Sequence, residues 1–247
     1  MMRQSAAHDQ SEFEALARRL SGVSDVGLRA GAARLTLQGI SAQGLVALVA
    51  DALHAVVSAR ADGHDVLAAL GAALEAPEWD ALRARAALEA HGRVPLAATY
   101  LVPRVEPAPD EPIPRVPDFG VGRPLTLGER KAVARGRQPD VIARVLRDPD
   151  PAVVAILLGN PVLVEAQVVR LAAQRPVRPA VLREVWRSSR WSPRHAVRLA
   201  LVQNPWCPGE VAVRVVPLLT LKERQAVSRS GELTPGLRGF AAALTRP

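Results

Sequence analysis

The alternation of apolar and polar positions predicts short helices along most of the chain. In the phrase Ser-Glu-Phe-Glu, Ser11 and Glu14 can each satisfy a backbone N–H of a first turn, so a helix is predicted to begin there. The segment from Ser41 to Val57 is apolar nearly all round, which predicts a helix buried among others. Asp62 and Gly63 are predicted to form a turn before further helices, which end near His91.

A proline-rich segment separates these helices from the rest of the chain. Proline fixes φ and removes a backbone donor, so the segment is predicted to be extended and polyproline-like. It is either a spacer or a strap, and its interleaved apolar residues favour a strap at least as much as a free linker. The apolar residues are Val105, Ile113, Val116 and Phe119, and the seven prolines are Pro103, Pro107, Pro109, Pro112, Pro114, Pro117 and Pro124.

From Leu125 onward the pattern predicts a series of short amphipathic helices separated by turns. Isolated helices below ~12 to 15 residues are marginal in water, so these helices must stack on one another. The predicted helices are Leu127 to Gly136, Pro139 to Arg147, Pro151 to Leu158, Leu163 to Gln174, Arg178 to Ser188, Pro193 to Val202, Gly209 to Leu218, Leu221 to Ser228 and Pro235 to Ala243.

An Asn-Pro phrase that follows aliphatic residues occurs twice, ending at Pro161 and at Pro205. The two asparagines are 44 residues apart, and the intervening unit has Arg-Ser-Ser-Arg, residues 187–190, in place of Asn-Pro. The pattern resembles the leucine-rich repeat variant and HEAT-like families of bacterial α-solenoids over about residues 125–245. The resemblance implies a scaffold that binds partners. Cys207 is the only cysteine, so an iron-sulfur cluster like that of some relatives is not expected.

These patterns together predict an all-α protein with three parts. Residues 1–101 are predicted to form an acidic helical bundle, and residues 102–124 a proline-rich linker or strap. Residues 125–247 are predicted to form a basic, right-handed helical-repeat solenoid of the HEAT-like type.

Charge is divided unequally along the chain. Residues 1–120 contain 11 Arg or Lys and 15 Asp or Glu (net −4), whereas residues 121–247 contain 21 and 9 (net +12). Thirty of the 32 basic residues are arginine, a bias that a GC-rich genome would produce without selection for function. No secretory signal or membrane-spanning run is recognised, and a single cysteine allows no internal disulfide, so a cytoplasmic protein is expected.

The strongest candidate site is a corner rich in arginine and tryptophan within the repeat region. Paired arginines at i and i+4 beside aromatic rings could clamp an acidic peptide or bind phosphate backbones. The competing interpretation is that the tryptophans pack in the repeat core and the arginines form a solvated face. The residues predicted to bind a partner are Arg183, Trp186, Arg187, Arg190, Trp191, Arg194 and Arg198.

Two other groups of residues carry weaker signals for chemistry. Asp51, His54, Asp62, His64 and Asp65 include metal-ligand types, but their spacing matches no metal motif, and they are interpreted as polar helix ends. Cys207 precedes a predicted helix, where a thiol pKa can be lowered, but it is interpreted as a residue packed in a turn. No cofactor or metal is predicted.

The function predicted from the sequence is non-catalytic: an adaptor or scaffold whose repeat surface binds an acidic protein partner. The alternative is nucleic-acid binding, including a HEAT-like DNA alkylpurine glycosylase, which the positive charge of the second half favours. The glycosylase alternative lacks a paired Trp and Asp in that half, because Glu78-Trp79-Asp80 lies in the acidic half.

Overall fold

The computed structural model describes residues 12–103 and 115–246, and this part of the chain is entirely helical. It contains fifteen α-helices, two short 3-10 helices and no β-strand among the described residues. The predicted all-α class is therefore confirmed. All nine helices predicted after Leu125 are present, and their ends lie within three residues of the predicted ones.

The helices are short, and most begin at a proline or at a capping side chain. Helix α1 comprises residues 12–20, so the predicted cap at Ser11 lies outside the described residues. The other helices are α2 Val26–Gly39, α3 Ala42–Val57, α4 Ala61–Ala73, α5 Asp80–Ala90, α6 Pro95–Tyr100, α7 Leu127–Val133, α8 Pro139–Val145, α9 Pro151–Leu158, α10 Glu165–Ala172, α11 Pro179–Arg187, α12 His195–Gln203, α13 Gly209–Val215, α14 Leu221–Arg229 and α15 Pro235–Ala243, with 3-10 turns at Pro77–Trp79 and Val216–Leu218.

The described chain divides into two compact units. The first contains residues 12–103 together with 212–246, and the second contains residues 115–211. This division differs from the domain boundaries predicted above, which placed residues 212–247 with the repeat. The 3-10 turn at Val216–Leu218 contacts α4, and α15 contacts α6, so the last helices pack on the first ones.

Helix α3 is the core of the first unit. Its start is where the sequence predicted it, because the Ser41 hydroxyl accepts a hydrogen bond of 3.0 Å from the Gly44 N–H. The helix contacts α4, α5 and α6, and side chains around most of its circumference are buried. The residues that were predicted to be buried, including Leu45, Leu48, Val49 and Leu53, are at most 1% exposed.

The predicted turn at Asp62 and Gly63 is wrong. Helix α4 begins at Ala61, and Gly63 lies inside its first turn. A Cβ atom on Gly63 would lie 2.8 Å from the Ala55 Cβ atom and 2.9 Å from the Ala52 carbonyl oxygen. Glycine is therefore present because α4 crosses α3 at close range, not because the chain reverses there.

The first unit also buries charged and polar groups. The Arg214 side chain is 0% exposed and forms an ion pair with Glu75, which follows α4. Arg83 is 1% exposed; it donates to the Leu74 carbonyl oxygen at 2.8 Å and to Asp80 at 2.6 Å. The Tyr100 hydroxyl donates to the Leu67 carbonyl oxygen, and burial raises the pKa of Tyr100. The contacts of Arg214 and Tyr100 connect segments that are far apart in the sequence, whereas those of Arg83 are local.

In the second unit, most helices pack mainly on the helix two places along the chain, whereas α8 packs on its neighbours α7 and α9. Helix α9 contacts α7 and α11, and α10 contacts α12. Contacts between consecutive helices, such as α7 with α8 and α11 with α12, are fewer. Helices of seven to nine residues thereby obtain from their neighbours the burial that they cannot provide alone.

Both Asn-Pro phrases make the same contacts, which hold these alternate helices together. The Asn160 amide donates to the carbonyl oxygens of Ala134 and Gly136, which follow α7. The Asn204 amide donates in the same way to Ala172 and Gln174, at the end of α10. Each asparagine also accepts from the N–H two residues later, at distances of 3.1 Å and 3.0 Å. The repeated asparagine is thus a structural link between a helix end and the helix end two places earlier.

The proline-rich segment is only partly within the described residues. Residues 104–114, including the predicted anchors Val105 and Ile113, lie outside them. Residues 115–124 form no helix or strand; Val116 is 42% exposed, and Phe119 is half-buried.

Candidate partner-binding surface

Three of the seven residues predicted to bind a partner are buried. Arg183 is 6% exposed, and its guanidinium donates from Nε and Nη2 to the same Glu210 oxygen, at 3.0 Å and 2.6 Å. Trp186 is 4% exposed and Trp191 is 3% exposed. These side chains therefore belong to the interior of the second unit. The packing interpretation expected this of the two tryptophans, but it placed Arg183 on a solvated face.

Arg190 and Trp191 take the place of the asparagine link in the sequence repeat that has Arg-Ser-Ser-Arg instead of Asn-Pro. The Trp191 indole N–H donates to the Leu158 carbonyl oxygen at 2.8 Å. Arg190 donates to the carbonyl oxygens of Asn160 and Leu163, at 2.8 Å and 3.0 Å, and its guanidinium carbon lies 4.3 Å from the centre of the Trp191 ring. The end of α11 is thereby joined to the end of α9, so the departure from the repeat phrase has a structural explanation.

The remaining predicted residues are more accessible. Arg187 is exposed and forms an ion pair of 2.8 Å with Glu184 on the same helix. Arg194 is exposed, and its Nη1 lies 3.8 Å from a Glu165 oxygen. Arg198 is half-buried and donates from Nε to the Ser192 carbonyl oxygen at 2.7 Å; burial lowers its pKa.

A surface pocket of about 340 Å³ lies where α9 and α11 end. Of the predicted residues, Arg187 and Arg190 line it together, whereas Arg194 and Arg198 are not part of its wall. The other lining residues are Ala155, Leu158, Gly159, Glu184, Ser188 and Ser189. The pocket wall thus combines apolar groups and two hydroxyl groups with two guanidinium groups, of which Arg187 is paired with Glu184 and Arg190 is bonded to carbonyl oxygens.

The carboxyl-terminal ends of α7, α9 and α11 lie along one edge of the second unit, because Asn160 bonds to the end of α7 and Arg190 bonds to the end of α9. We call residues 134–137, 159–163 and 187–191 the basic edge. They include four arginines and no Asp or Glu. All four are at exposed positions: Arg135 and Arg137 follow α7, Arg187 is the last residue of α11, and Arg190 follows α11.

Sequence reasoning missed Arg135 and Arg137, because they are separated from Arg187 by about fifty residues. Cations near helix carboxyl ends are stabilised by the partial negative charge of the last carbonyl groups. An arginine near the carboxyl end of a helix was visible in the sequence for each helix separately. Only the stacking of alternate helices places the three helix ends on one edge.

The two compact units differ in charge. The second unit contains 16 Arg or Lys and 8 Asp or Glu among residues 115–211, net +8. The first unit contains 14 and 12 in residues 12–103 and 212–246, net +2, because the basic last helices belong to it. The positive charge is therefore concentrated in the unit that carries the basic edge.

Cys207 lies in an environment that disfavours the thiolate. Burial raises the pKa of the Cys207 thiol, the negative charge of Glu210 raises it further, and Arg183 opposes these effects. A raised pKa lowers the thiolate fraction at neutral pH, so the position before a helix does not activate this cysteine.

We therefore expect Cys207 to react with a thiol reagent at about pH 8 at least about tenfold more slowly in the folded protein than in urea. The measurement is the rate of absorbance change with a chromogenic disulfide reagent. Equal rates in the two states would contradict the raised pKa and show an accessible, ionised thiol.

The acidic and histidine residues near α3 and α4 are not arranged as a metal site. Asp62 forms an ion pair with Arg60, and Asp65 forms one with Arg29. The His54 ring lies 3.5 Å from the Ser58 hydroxyl. Among the residues that the structure describes, no group of three or more His, Cys, Asp or Glu side chains could hold a metal ion.

In Glu78-Trp79-Asp80, the Asp80 carboxylate accepts a hydrogen bond from buried Arg83, so it takes part in the packing of the first unit.

None of the helices formed by residues 12–103 and 115–246 combines the length and hydropathy that a membrane span requires. Comparison with protein-family models, with curated proteins and with solved structures found no match.

Proposed function

We propose that the protein is a non-catalytic adaptor or scaffold, and that its basic edge binds an acidic segment of a partner protein. The observation that carries the proposal is the basic edge itself, where four arginines at the ends of α7 and α11 flank the end of α9, with no Asp or Glu in the same segments. An acidic partner would gain attraction and orientation from these arginines.

The packing of the second unit supports a helical-repeat scaffold. Alternate helices contact each other, and three side-chain links, from Asn160, from Arg190 with Trp191, and from Asn204, each join a helix end to the helix end two places earlier. Solenoid proteins are organised as stacks of short helices in which each helix contacts only near neighbours, and their extended surfaces bind partners. The resemblance to bacterial HEAT-like and leucine-rich repeat variant proteins agrees with this proposal.

The accessible side chains suit an acidic peptide that also has apolar residues. Pro161 and Val162 are exposed on the basic edge beside the arginines, and Val162 is 38% exposed. Arg187 of the edge is paired at 2.8 Å with Glu184, which lies one turn earlier on α11, and this is the kind of contact that a partner carboxylate would make. Guanidinium groups bind carboxylates with defined geometry, which gives such contacts specificity.

The proposal is tested by a matched pair of charge-reversal variants. Arg137→Glu with Arg187→Glu changes the basic edge, and Arg34→Glu with Arg85→Glu changes two exposed arginines of the first unit by the same total charge. With a fluorescent polyglutamate peptide of about twenty residues as the probe, we expect the edge variant to bind about tenfold or more weakly and the control variant to bind within about twofold of the natural protein. Equal losses in the two variants would reject the basic edge.

Nucleic-acid binding is the second candidate, and the net charge of +8 in the second unit favours it. It includes the glycosylase alternative. Anisotropy titrations with duplex and single-stranded oligonucleotides at ~50 and ~200 mM salt distinguish nucleic-acid binding from acidic-partner binding. The affinity of a protein that binds through six or more phosphates falls about a thousandfold over that range. Tighter binding of an oligonucleotide than of polyglutamate, with that salt dependence, would replace the acidic-partner proposal.

A further inference from the structure

A second internal repeat, which differs from the Asn-Pro phrase, occurs at residues 125–135 and 219–229. The two segments read Leu-Thr-Leu-Gly-Glu-Arg-Lys-Ala-Val-Ala-Arg and Leu-Thr-Leu-Lys-Glu-Arg-Gln-Ala-Val-Ser-Arg, identical at eight of eleven positions. Both form a capping box: Thr126 with Glu129 begins α7, and Thr220 with Glu223 begins α14. The same sequence thus forms the same helix start in each compact unit.

The arginine that follows each capping box is buried, but only one of the two has an anionic partner. Arg130 is 9% exposed and Arg224 is 5% exposed. Arg130 forms an ion pair with Asp148, whose side chain is 0% exposed. Asp148 also accepts from the Asp150 N–H at 2.9 Å, and Asp150 caps α9. The partner of Arg130 is therefore an aspartate in an Asp-Pro-Asp-Pro turn that begins a helix.

Arg224 forms no ion pair and no side-chain hydrogen bond with the residues that the structure describes. Its Nε and Nη1 atoms are enclosed without a hydrogen-bond partner, so Nη2 is the guanidinium nitrogen that reaches the surface. Burial lowers the pKa of Arg224, because removing a cation from water disfavours its charged form. A buried cation without an anion destabilises the protein that contains it.

The segment that contains Arg224 is basic. Residues 220–246, which contain α14 and α15, include five basic and two acidic residues. One of the acids, Glu223, already bonds to the Thr220 N–H and hydroxyl in the capping box. On α15, the Nε atom of Arg238 is also enclosed without a partner. The hairpin of α14 and α15 thus has guanidinium donors in excess of the carboxylates that could satisfy them.

We propose that Arg224 binds a carboxylate of a partner protein, carried by an aspartate in an Asp-Pro turn, as Arg130 binds Asp148 within this chain. The contact made by Arg130 specifies a carboxylate because that is the anion that the same helix start holds in the second unit. This site lies on α14, in the other compact unit from the basic edge, and does not depend on binding at that edge.

The first test compares Arg224→Met with Arg130→Met in the full chain without ligand. Arg224→Met is expected to raise Tm by about a few degrees, because it removes a buried charge that has no partner. Arg130→Met is expected to lower Tm by about ten degrees, because it leaves Asp148 buried without its cation. A decrease in Tm for Arg224→Met similar to that for Arg130→Met would overturn the proposal.

The second test measures binding directly by following the Nε–Hε resonance of Arg224, assigned by its absence in Arg224→Met. The probe is a peptide with the sequence of residues 147–155, Arg-Asp-Pro-Asp-Pro-Ala-Val-Val-Ala. We expect this peptide to shift the resonance, and its Asp148→Asn counterpart to bind at least about tenfold more weakly. An equal response to the Asn peptide or to inorganic phosphate would overturn the proposal. Self-association that Arg224→Met abolishes would overturn it too, because the occupant would then be a second copy of this chain.

Discussion

Glu75→Ala is expected to lower the free energy of unfolding by about 3–5 kcal/mol, the usual cost of leaving one member of a buried ion pair without the other. Its partner Arg214 is 0% exposed, and Glu75 is 7% exposed, so water cannot replace the lost carboxylate. The pair joins the end of α4 to α13 across 139 residues of sequence. Urea denaturation followed by circular dichroism measures the effect.

A double variant distinguishes the ion pair from simple packing. Glu75→Leu with Arg214→Met replaces both charges by apolar groups, and we expect it to recover most of the stability lost in Glu75→Ala. Glu89→Ala is a suitable control, because Glu89 is exposed and surface changes usually alter stability by less than about 0.5 kcal/mol. A loss in Glu75→Ala no larger than that of the control would show that the pair does not stabilise the first unit.

Asn204→Leu is expected to lower the free energy of unfolding by about 3 kcal/mol. The substitution removes an amide that donates to the Ala172 and Gln174 carbonyl oxygens and a side-chain oxygen that accepts from the Trp206 N–H. Each buried polar group left without a partner costs about 1–3 kcal/mol, and some of these groups will regain water. Asn160→Leu should have an effect of similar size, because Asn160 makes the equivalent three bonds.

The control for this prediction is the adjacent Gln203→Leu, whose side chain is exposed and makes none of these bonds. We expect its stability to change by less than about 0.5 kcal/mol. Amide hydrogen exchange supplies a local measurement, since the Trp206 N–H should exchange faster in Asn204→Leu than in the natural protein. Unchanged exchange at Trp206 together with unchanged stability would show that the repeated asparagine is not a structural link.

The helices after Leu125 were predictable because each has its own local signals. Prolines at Pro139, Pro151, Pro179 and Pro235 occupy the first turn of a helix, where a missing N–H has no cost. Gly63 shows the limit of such signals. A glycine after an aspartate is typical of a turn, but here it lies within a helix because α3 and α4 cross closely.

The candidate site was predictable only in part. Arg187 and Arg190 do lie at one pocket, as their nearness in sequence suggested. Arg183, four residues before Arg187, is buried against Glu210, and no local pattern distinguishes its position from that of Arg187. The same limit applies to Arg130 and Arg224, whose local sequences are nearly identical although, among the described residues, only Arg130 has a carboxylate partner.

The sequence by itself determined most of the helices and their starts, since capping, proline placement and apolar spacing act within a few residues; it showed the repeated Asn-Pro phrase but not the distant carbonyl groups that each asparagine binds. Only the tertiary structure decided which arginines are buried and paired, which are exposed on the basic edge, and which helices share a compact unit. The physical reason is that burial and ion pairing depend on groups brought together from distant segments. Glu75 with Arg214 and Asp148 with Arg130 are such pairs.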